Sequence, residues 1–200
     1  NGGGSILARL GALVNVLESI ISNSRASNTD RGHQGGAFKI EESAKLNVTG
    51  STFMGNIAAE GGAIFAAGAN TVVTLDNILF WANKAAKEKW YFSDSSIYGF
   101  GGAIKATNGA QIDVRGSTFD SNTAQLNTAQ QQAGALYVDG GAQIRLNGGD
   151  NVARNNQANG ISSFSLVETN VDLLFDTCMP GTFQDAADST PLNIGHDFVG

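Results

Sequence analysis

The residues of this chain that could do acid–base chemistry are spread along the sequence. Glycoside hydrolysis needs two carboxylates held close together around one bond. The aspartates that fall in or near the repeated segments occur singly and at different distances from one another: Asp76, Asp113, Asp120, Asp139 and Asp150. No two aspartates are adjacent, and no group of Asp and Glu has the spacing of a calcium site. We therefore expect no catalytic residues and no enzyme activity.

The histidines and the cysteine give no stronger signal. Gly32-His33-Gln34-Gly35 is similar to a Gly-His-Gly motif of polysaccharide hydrolases, but the Asp-bearing motifs that accompany it are absent. His33 and His196 lie far apart in sequence, without Cys or carboxylate neighbours at ligand spacing, so we expect no metal and no cofactor. Cys178 is the single cysteine, which excludes an internal disulfide and leaves an intermolecular or downstream one as the alternative to a quiet, partly buried thiol.

One long insertion carries the best candidates for an interaction site. It runs from Lys84 to Phe100, and residues 82–89, which overlap its first part, are rich in helix formers. Its aromatic residues are Trp90, Tyr91, Phe92, Tyr98 and Phe100. Aromatic side chains on a loop are typical of interface anchors. They could instead fold back on their own domain, but three adjacent rings cannot all face inward from one segment. We favour a protein or glycan partner.

A second candidate site is a glycosylation sequon. Asn47-Val48-Thr49 is the only Asn-x-Ser/Thr sequence in the chain. The local alternation of apolar and polar residues places Asn47 on the outer face of a strand. A glycan on Asn47 is therefore possible in a secreted protein.

Two short phrases recur along the chain and define the elements that position these residues. The first, Gly-Gly-Ala followed by an apolar residue, begins at Gly35, Gly61 and Gly101, with a weaker Ala133-Gly-Ala-Leu copy. The second, Phe-x-x-Asn, ends at Asn56, Asn83 and Asn122, with degenerate copies ending at Asn23 and Asn155. Intervals of 26 and 40 residues between the first three copies, and of 33 residues from Gly101 to Gly134, fit a solenoid turn with insertions. We interpret the asparagines as structural residues that stack from turn to turn.

Each repeat also contains segments that alternate apolar and polar residues, which is the pattern of a half-buried strand. Three short strands per turn are predicted, with the glycine pair at a tight corner. The pattern predicts a right-handed parallel β-helix of about six turns with a helical and aromatic insertion. It occupies residues 1–175, and 176–200 form a C-terminal tail or cap. The predicted inward-facing residues are Leu46/Val48, Val73/Leu75, Ile112/Val114, Ile144/Leu146 and the stack Phe53, Phe80 and Phe119. Lys39, Phe65, Lys105 and Tyr137 are predicted to face outward.

Composition narrows the classes of partner. The net charge is −6 and Lys and Arg form no cluster, which argues against nucleic acid. No apolar run reaches the ~20 residues of a membrane helix. The chain starts at Asn1 without Met, so we expect a processed product or a piece of a longer protein. A β-helix exposes unpaired strands at its ends unless they are capped. We therefore expect the N-terminal edge to meet another chain or an upstream segment.

The alternating Gly-Gly-Ala-Ile and Phe-x-x-Asn phrases resemble the repeats of the polymorphic outer membrane proteins of chlamydiae and of large surface proteins of algae and other protists. The resemblance covers roughly residues 3–155. It implies a β-helical, surface-exposed region used for adhesion or surface architecture. Nothing here resembles the membrane barrel that ends the chlamydial proteins. The tail Cys178-Met179-Pro180-Gly181 instead resembles the start of a Cys-rich, ephrin-receptor-like module, which favours an extracellular protein of several modules.

The sequence thus predicts a non-catalytic, extracellular or cell-surface repeat domain for surface structure, adhesion or assembly. Its expected partners are other protein chains or neighbouring modules of the same protein, with glycans as a further class of partner. The alternative is a carbohydrate-binding or polysaccharide-cleaving β-helix, for which a sugar bound over Trp90 would be the sign. Ice binding is a third alternative, but the outward faces mix charged and apolar residues instead of repeating Thr or Ala.

Overall fold

The computed structural model describes residues 6–26, 34–86, 99–125, 133–148 and 151–158. It also gives the backbone of short strands at 161–162, 165–167, 173–176, 192–194 and 196–198. Within these ranges every regular element is a strand, and the bounds are as follows. They are β1 Ile6–Ala8, β2 Leu13–Leu17, β3 Ile20–Ser22, β4 Phe38–Glu41, β5 Lys45–Thr49, β6 Thr52–Met54, β7 Ile57–Ala58, β8 Ile64–Ala67, β9 Val72–Asp76, β10 Leu79–Trp81, β11 Lys84–Ala86, β12 Ile104–Thr107, β13 Gln111–Arg115, β14 Thr118–Asp120, β15 Thr123–Gln125, β16 Leu136–Val138, β17 Gln143–Asn147, β18 Val152–Arg154, β19 Gln157–Ala158, β20 Ile161–Ser162, β21 Ser165–Val167, β22 Leu173–Asp176, β23 Leu192–Ile194 and β24 His196–Phe198.

Successive strands of one turn belong to different sheets, and the same strand of each turn pairs with its counterpart in the next. The first sheet has the order β1-β4-β8-β12-β16-β21 and the second β2-β5-β9-β13-β17-β22. The third has the order β3-β6-β10-β14-β18 and the fourth β7-β11-β15-β19-β20. Within these four sheets all pairs are parallel except β19 with β20, and β23 and β24 form a separate antiparallel pair. The fold is therefore a parallel β-helix of about six turns, as the repeat predicts.

Two details of the prediction are wrong. Each complete turn has four strands and not three, because the chain pairs again after the asparagine of Phe-x-x-Asn, as in β7 and β15.

The segment that starts the long insertion is not helical where the structure describes it: Lys84–Ala86 is strand β11, paired in register with Thr123–Gln125. Cross-turn pairing supplies backbone partners along its whole length, which outweighs the helix propensity of Lys and Ala.

The interior is built from ladders of like residues, which confirms the predicted inward-facing set. In the second sheet Leu46, Val73, Ile112 and Ile144 occupy one register line, and all are buried. In the third sheet the rings of Phe53, Phe80 and Phe119 stack at centroid distances of 5.0 and 4.9 Å with interplanar angles of 11° and 4°. Parallel in-register pairing puts equivalent side chains one strand spacing apart, so flat rings can stack directly.

The two glycines of each pair are required for different reasons. Gly35, Gly61 and Gly101 have φ of +64°, +59° and +67°, the left-handed region that glycine adopts cheaply. The second glycine has an ordinary φ but no room for a side chain. A Cβ on Gly102 would lie 1.9 Å from the carbonyl oxygen of Gly134 and 2.7 Å from the amide of Thr123. The corner therefore brings backbone from neighbouring turns and from the fourth sheet into contact.

The asparagines of Phe-x-x-Asn form a buried hydrogen-bonded ladder: Asn56, Asn83, Asn122 and Asn156. For the two degenerate copies of the phrase, the position predicted from the sequence is wrong by one residue. Ala153 pairs with Phe119, so the ladder residue of that turn is Asn156, and Ile21 pairs with Phe53, which puts Ser24 at the ladder position. Asn23 and Asn155 instead take the left-handed conformation one residue earlier, at φ of 53° and 56°.

Candidate functional site

The outer face of the first sheet carries a covered aromatic and charged cluster. Lys39, Phe65, Lys105 and Tyr137 face away from the interior in one register line, as predicted. They are nevertheless buried, with exposed fractions between 2% and 6%. Strand alternation predicts the direction of a side chain but not whether other residues cover it. This row of outward-facing side chains is therefore not a solvent-exposed face.

Lys105 is the centre of this cluster and joins three turns. Its ammonium group lies 3.0 Å from Oε1 of Glu60 in the preceding turn and 3.4 Å from Oδ2 of Asp139 in the following one. It also sits 4.5 Å from the ring centroid of Phe100 and 5.2 Å from that of Tyr137. Carboxylates and ring faces both stabilise a buried cation. The arrangement ties successive turns together on the outside of the rod.

Of the predicted aromatic interaction site, the structure describes one member. Phe100 packs on Tyr137 of the next turn, with ring centroids 4.6 Å apart at 44°, so this residue folds back on its own rod. Trp90, Tyr91, Phe92 and Tyr98 lie outside the described residues, and their part in an interaction site stays a prediction. Cys178 and His33 also lie outside them.

The outer face of the third sheet presents a tryptophan that the sequence reasoning did not single out. Trp81 lies in register between Met54 and Asp120 and is 44% exposed. The sequence does indicate it: Trp81 is the second residue of Phe80-Trp-Ala-Asn83 and must point away from the strand face that buries Phe80. An exposed ring beside hydrogen-bonding groups is the kind of surface on which a sugar ring can stack.

Asp120 lies in register with Trp81 on the next turn, and Arg154 follows Asp120 one turn later. Oδ2 of Asp120 accepts a hydrogen bond from Nε of Arg154 at 2.8 Å, and Oδ1 accepts from the Ser121 hydroxyl and the Asn155 amide. Partial burial alone would raise the pKa of Asp120, but the hydrogen bonds from Ser121, Asn155 and Arg154, with the charge of Arg154, lower it below its usual value. The carboxylate is therefore held ionised and in one orientation.

The first turn differs from all later described turns in what it exposes. Six large apolar side chains on it are exposed: Ile6, Leu7, Leu10, Leu13, Leu17 and Ile20. Leu13 and Leu17 occupy the outward positions that Lys45 and Thr49 occupy one turn later. The inward-facing Val14, Val16 and Ile21 are only partly buried, whereas Leu46, Val48 and Phe53 are fully buried. We call residues 6–22 the N-terminal end.

The N-terminal end also presents strand edges without a neighbour in the sheet order. β1, β2 and β3 are each the terminal strand of their sheet. A row of backbone N–H and C=O groups at such an edge is a template for a further strand. Aligning the turns by their glycine pairs would have found this site, because Leu13 and Leu17 stand where Lys45 and Thr49 stand one turn later.

The remaining predicted residues are not brought together. Asn47 is exposed on β5, as predicted, and its amide donates to Oδ1 of Asn15 at 2.9 Å. Asp113 and Asp120 lie in the second and third sheets, with Asp113 in register with Thr74 and Arg145. Among the described residues there is no group of three or more His, Cys, Asp and Glu that could hold a metal ion. Nor does this part of the chain contain a helix that is long and apolar enough to span a membrane.

No protein-family model matches the chain, and no curated protein or solved structure matches it at a significant level. The resemblance of the repeats to chlamydial and protist surface proteins is therefore carried by the two phrases alone.

Proposed function

We propose that this chain is a non-catalytic extracellular repeat domain for surface structure, adhesion or assembly, and that its N-terminal end is the surface through which it assembles. The observation that carries the proposal is the exposure of Leu13 and Leu17, 59% and 68%, on an edge strand. Contiguous exposed apolar side chains mark interaction sites on soluble proteins. The extracellular location is supported by the resemblance of the repeats.

Association of the purified chain tests this proposal. Light scattering across a concentration series should show self-association that the double substitution Leu13→Lys and Leu17→Lys removes. Both side chains are exposed, so the melting temperature should change little. Thr49→Lys is the matched control, since it adds a charge at the equivalent outward position one turn later. A chain that stays monomeric at its highest soluble concentration would contradict the proposal.

A second candidate function is carbohydrate binding, which is favoured by the exposed ring of Trp81 in one register line with the hydrogen-bonded pair Asp120 and Arg154. Affinity electrophoresis through gels containing different neutral polysaccharides would test it. Trp81→Ala should abolish any retardation, while Lys45→Ala, exposed on the neighbouring sheet, should leave it unchanged. Equal migration of the parent chain in all gels would exclude this function for the polysaccharides tested.

A further inference from the structure

The edge strand of the second sheet has a sequence that is its own reverse. β2 reads Leu13-Val14-Asn15-Val16-Leu17, with Asn15 at the centre and no charged residue. A strand that pairs antiparallel with a copy of itself about a two-fold axis places residues opposite each other in reverse order. A palindromic strand centred on Asn15 therefore puts Leu13 opposite Leu17, Val14 opposite Val16, and Asn15 opposite Asn15.

The backbone of β2 has the alternation that this pairing needs. The carbonyl of Ala12 accepts a hydrogen bond from the amide of Lys45 at 2.8 Å, and the amide of Glu18 donates to the carbonyl of Thr49 at 3.0 Å. The backbone groups of alternate residues in a strand point to opposite sides. The backbone amides and carbonyls of the even-numbered residues therefore point to β5. Those of Leu13, Asn15 and Leu17 point to the open edge.

Symmetry and backbone direction select the same centre. In an antiparallel pair, residues that both point their backbone groups at the partner strand form hydrogen-bonded pairs. An axis at Asn15 makes all three outward residues members of such pairs. The same axis sets Leu13 beside Leu17 of the other copy on the outer face, where cross-strand apolar pairs stabilise a sheet. The two Asn15 amides meet at the axis, and each can donate and accept.

We propose that the occupant of the N-terminal end is a second copy of this chain, joined head to head by antiparallel pairing of β2 with β2 about a two-fold axis at Asn15. This inference rests on the proposed function, because it names the partner of the assembly surface. The pairing also covers the partly buried Val14 and Val16 at the open end of the interior. Head-to-tail stacking would not use the palindrome, since the strand it meets has a different sequence.

Cysteine cross-linking tests the geometry directly. In a Cys178→Ser background, Asn15→Cys should form a disulfide-linked dimer under mild oxidation, because hydrogen-bonded antiparallel pairs hold Cα atoms about 5.5 Å apart, within disulfide range. Asn47→Cys, exposed at the same position one turn later, is the control and should remain unlinked. Leu13→Cys and Leu17→Cys should each link poorly alone and efficiently when the two variants are mixed.

The outcomes separate this inference from the function it rests on. Dimerisation by light scattering together with the Asn15→Cys cross-link supports both. Association without that cross-link, or with Leu13→Cys linking to itself, overturns the two-fold pairing and leaves the assembly function standing. A chain that neither associates nor cross-links overturns both. All four positions changed to cysteine are exposed, so the variants should fold, and thermal unfolding of each should confirm this.

Discussion

The side-chain amide of Asn83 donates a hydrogen bond to Oδ1 of Asn122 in the next turn, at 3.0 Å. The same oxygen accepts the backbone amide of Asn83 at 3.1 Å, and Nδ2 of Asn83 also reaches the carbonyl of Phe53 at 2.9 Å. The pattern repeats from Asn56 to Asn156, and all members are buried. One side chain thus satisfies buried backbone groups of the preceding turn, as such groups require, and also bonds the asparagine side chain of the next turn.

Asn83→Ala should be strongly destabilising. It removes the acceptor of the Asn56 backbone and side-chain amides and the donor to the Phe53 carbonyl. Each buried group left unsatisfied costs about 1–3 kcal/mol, so a loss of at least ~3 kcal/mol in the free energy of unfolding is expected. Urea unfolding followed by circular dichroism measures it. Asn47→Ala, an exposed asparagine that bonds Asn15, is the control and should fall within ~0.5 kcal/mol of the parent.

Phe119→Ala should cost ~3–5 kcal/mol, because it empties a fully buried site and removes a stacking partner of Phe80. The matched change Trp81→Ala removes an aromatic ring from the outward side of the same sheet and should cost much less. Equal losses for the two variants in a urea titration would mean that the phenylalanine stack is not the core of the rod.

Gly102→Ala and Gly116→Ala should separate steric clash from backbone strain. Gly102 has no left-handed φ, but its Cβ would overlap the Gly134 carbonyl oxygen, so we expect a loss above ~3 kcal/mol or failure to fold. Gly116 has φ of +55° and no atom closer than 4.0 Å to a new Cβ. Its alanine variant should lose only about 1–2 kcal/mol, the cost of a left-handed L-residue. Thermal melts and soluble yield distinguish the two.

Asp120→Asn should flatten the acid limb of the stability profile. The folded chain lowers the pKa of Asp120, so its unfolded form binds a proton more readily. The resulting stabilisation is present above the unfolded pKa, about 3.9, and is lost as the pH falls through the lower folded value. Urea midpoints measured from pH 6 downward should fall less steeply for the variant than for the parent. The same slope in both would show that Asp120 contributes nothing to acid unfolding.

The sequence determined the architecture because a solenoid repeats its local pattern. Each turn supplies the same glycine corner, the same alternating strand and the same Phe-x-x-Asn. The ladder of Leu46, Val73, Ile112 and Ile144 and the stack of phenylalanines therefore follow from alignment alone. Where the repeat has diverged, the predicted ladder position is wrong by one residue, at Asn23 and Asn155. In those turns isoleucine and alanine replace the phenylalanine, and only cross-turn pairing fixes the register.

Contacts between turns decided the burial of outward-facing residues, the presence of a fourth strand and the position of the free edge. Period-two alternation predicts that Lys105 and Tyr137 point outward. It does not predict that Glu60 and Asp139 of the neighbouring turns pair with Lys105, or that Phe100 packs on Tyr137 of the next turn. The fourth strand of each turn has too few residues to show a period and exists because neighbouring turns offer it backbone partners. The free backbone edge of β2 likewise depends on position, since β5 pairs on both sides whereas β2 is the terminal strand of its sheet.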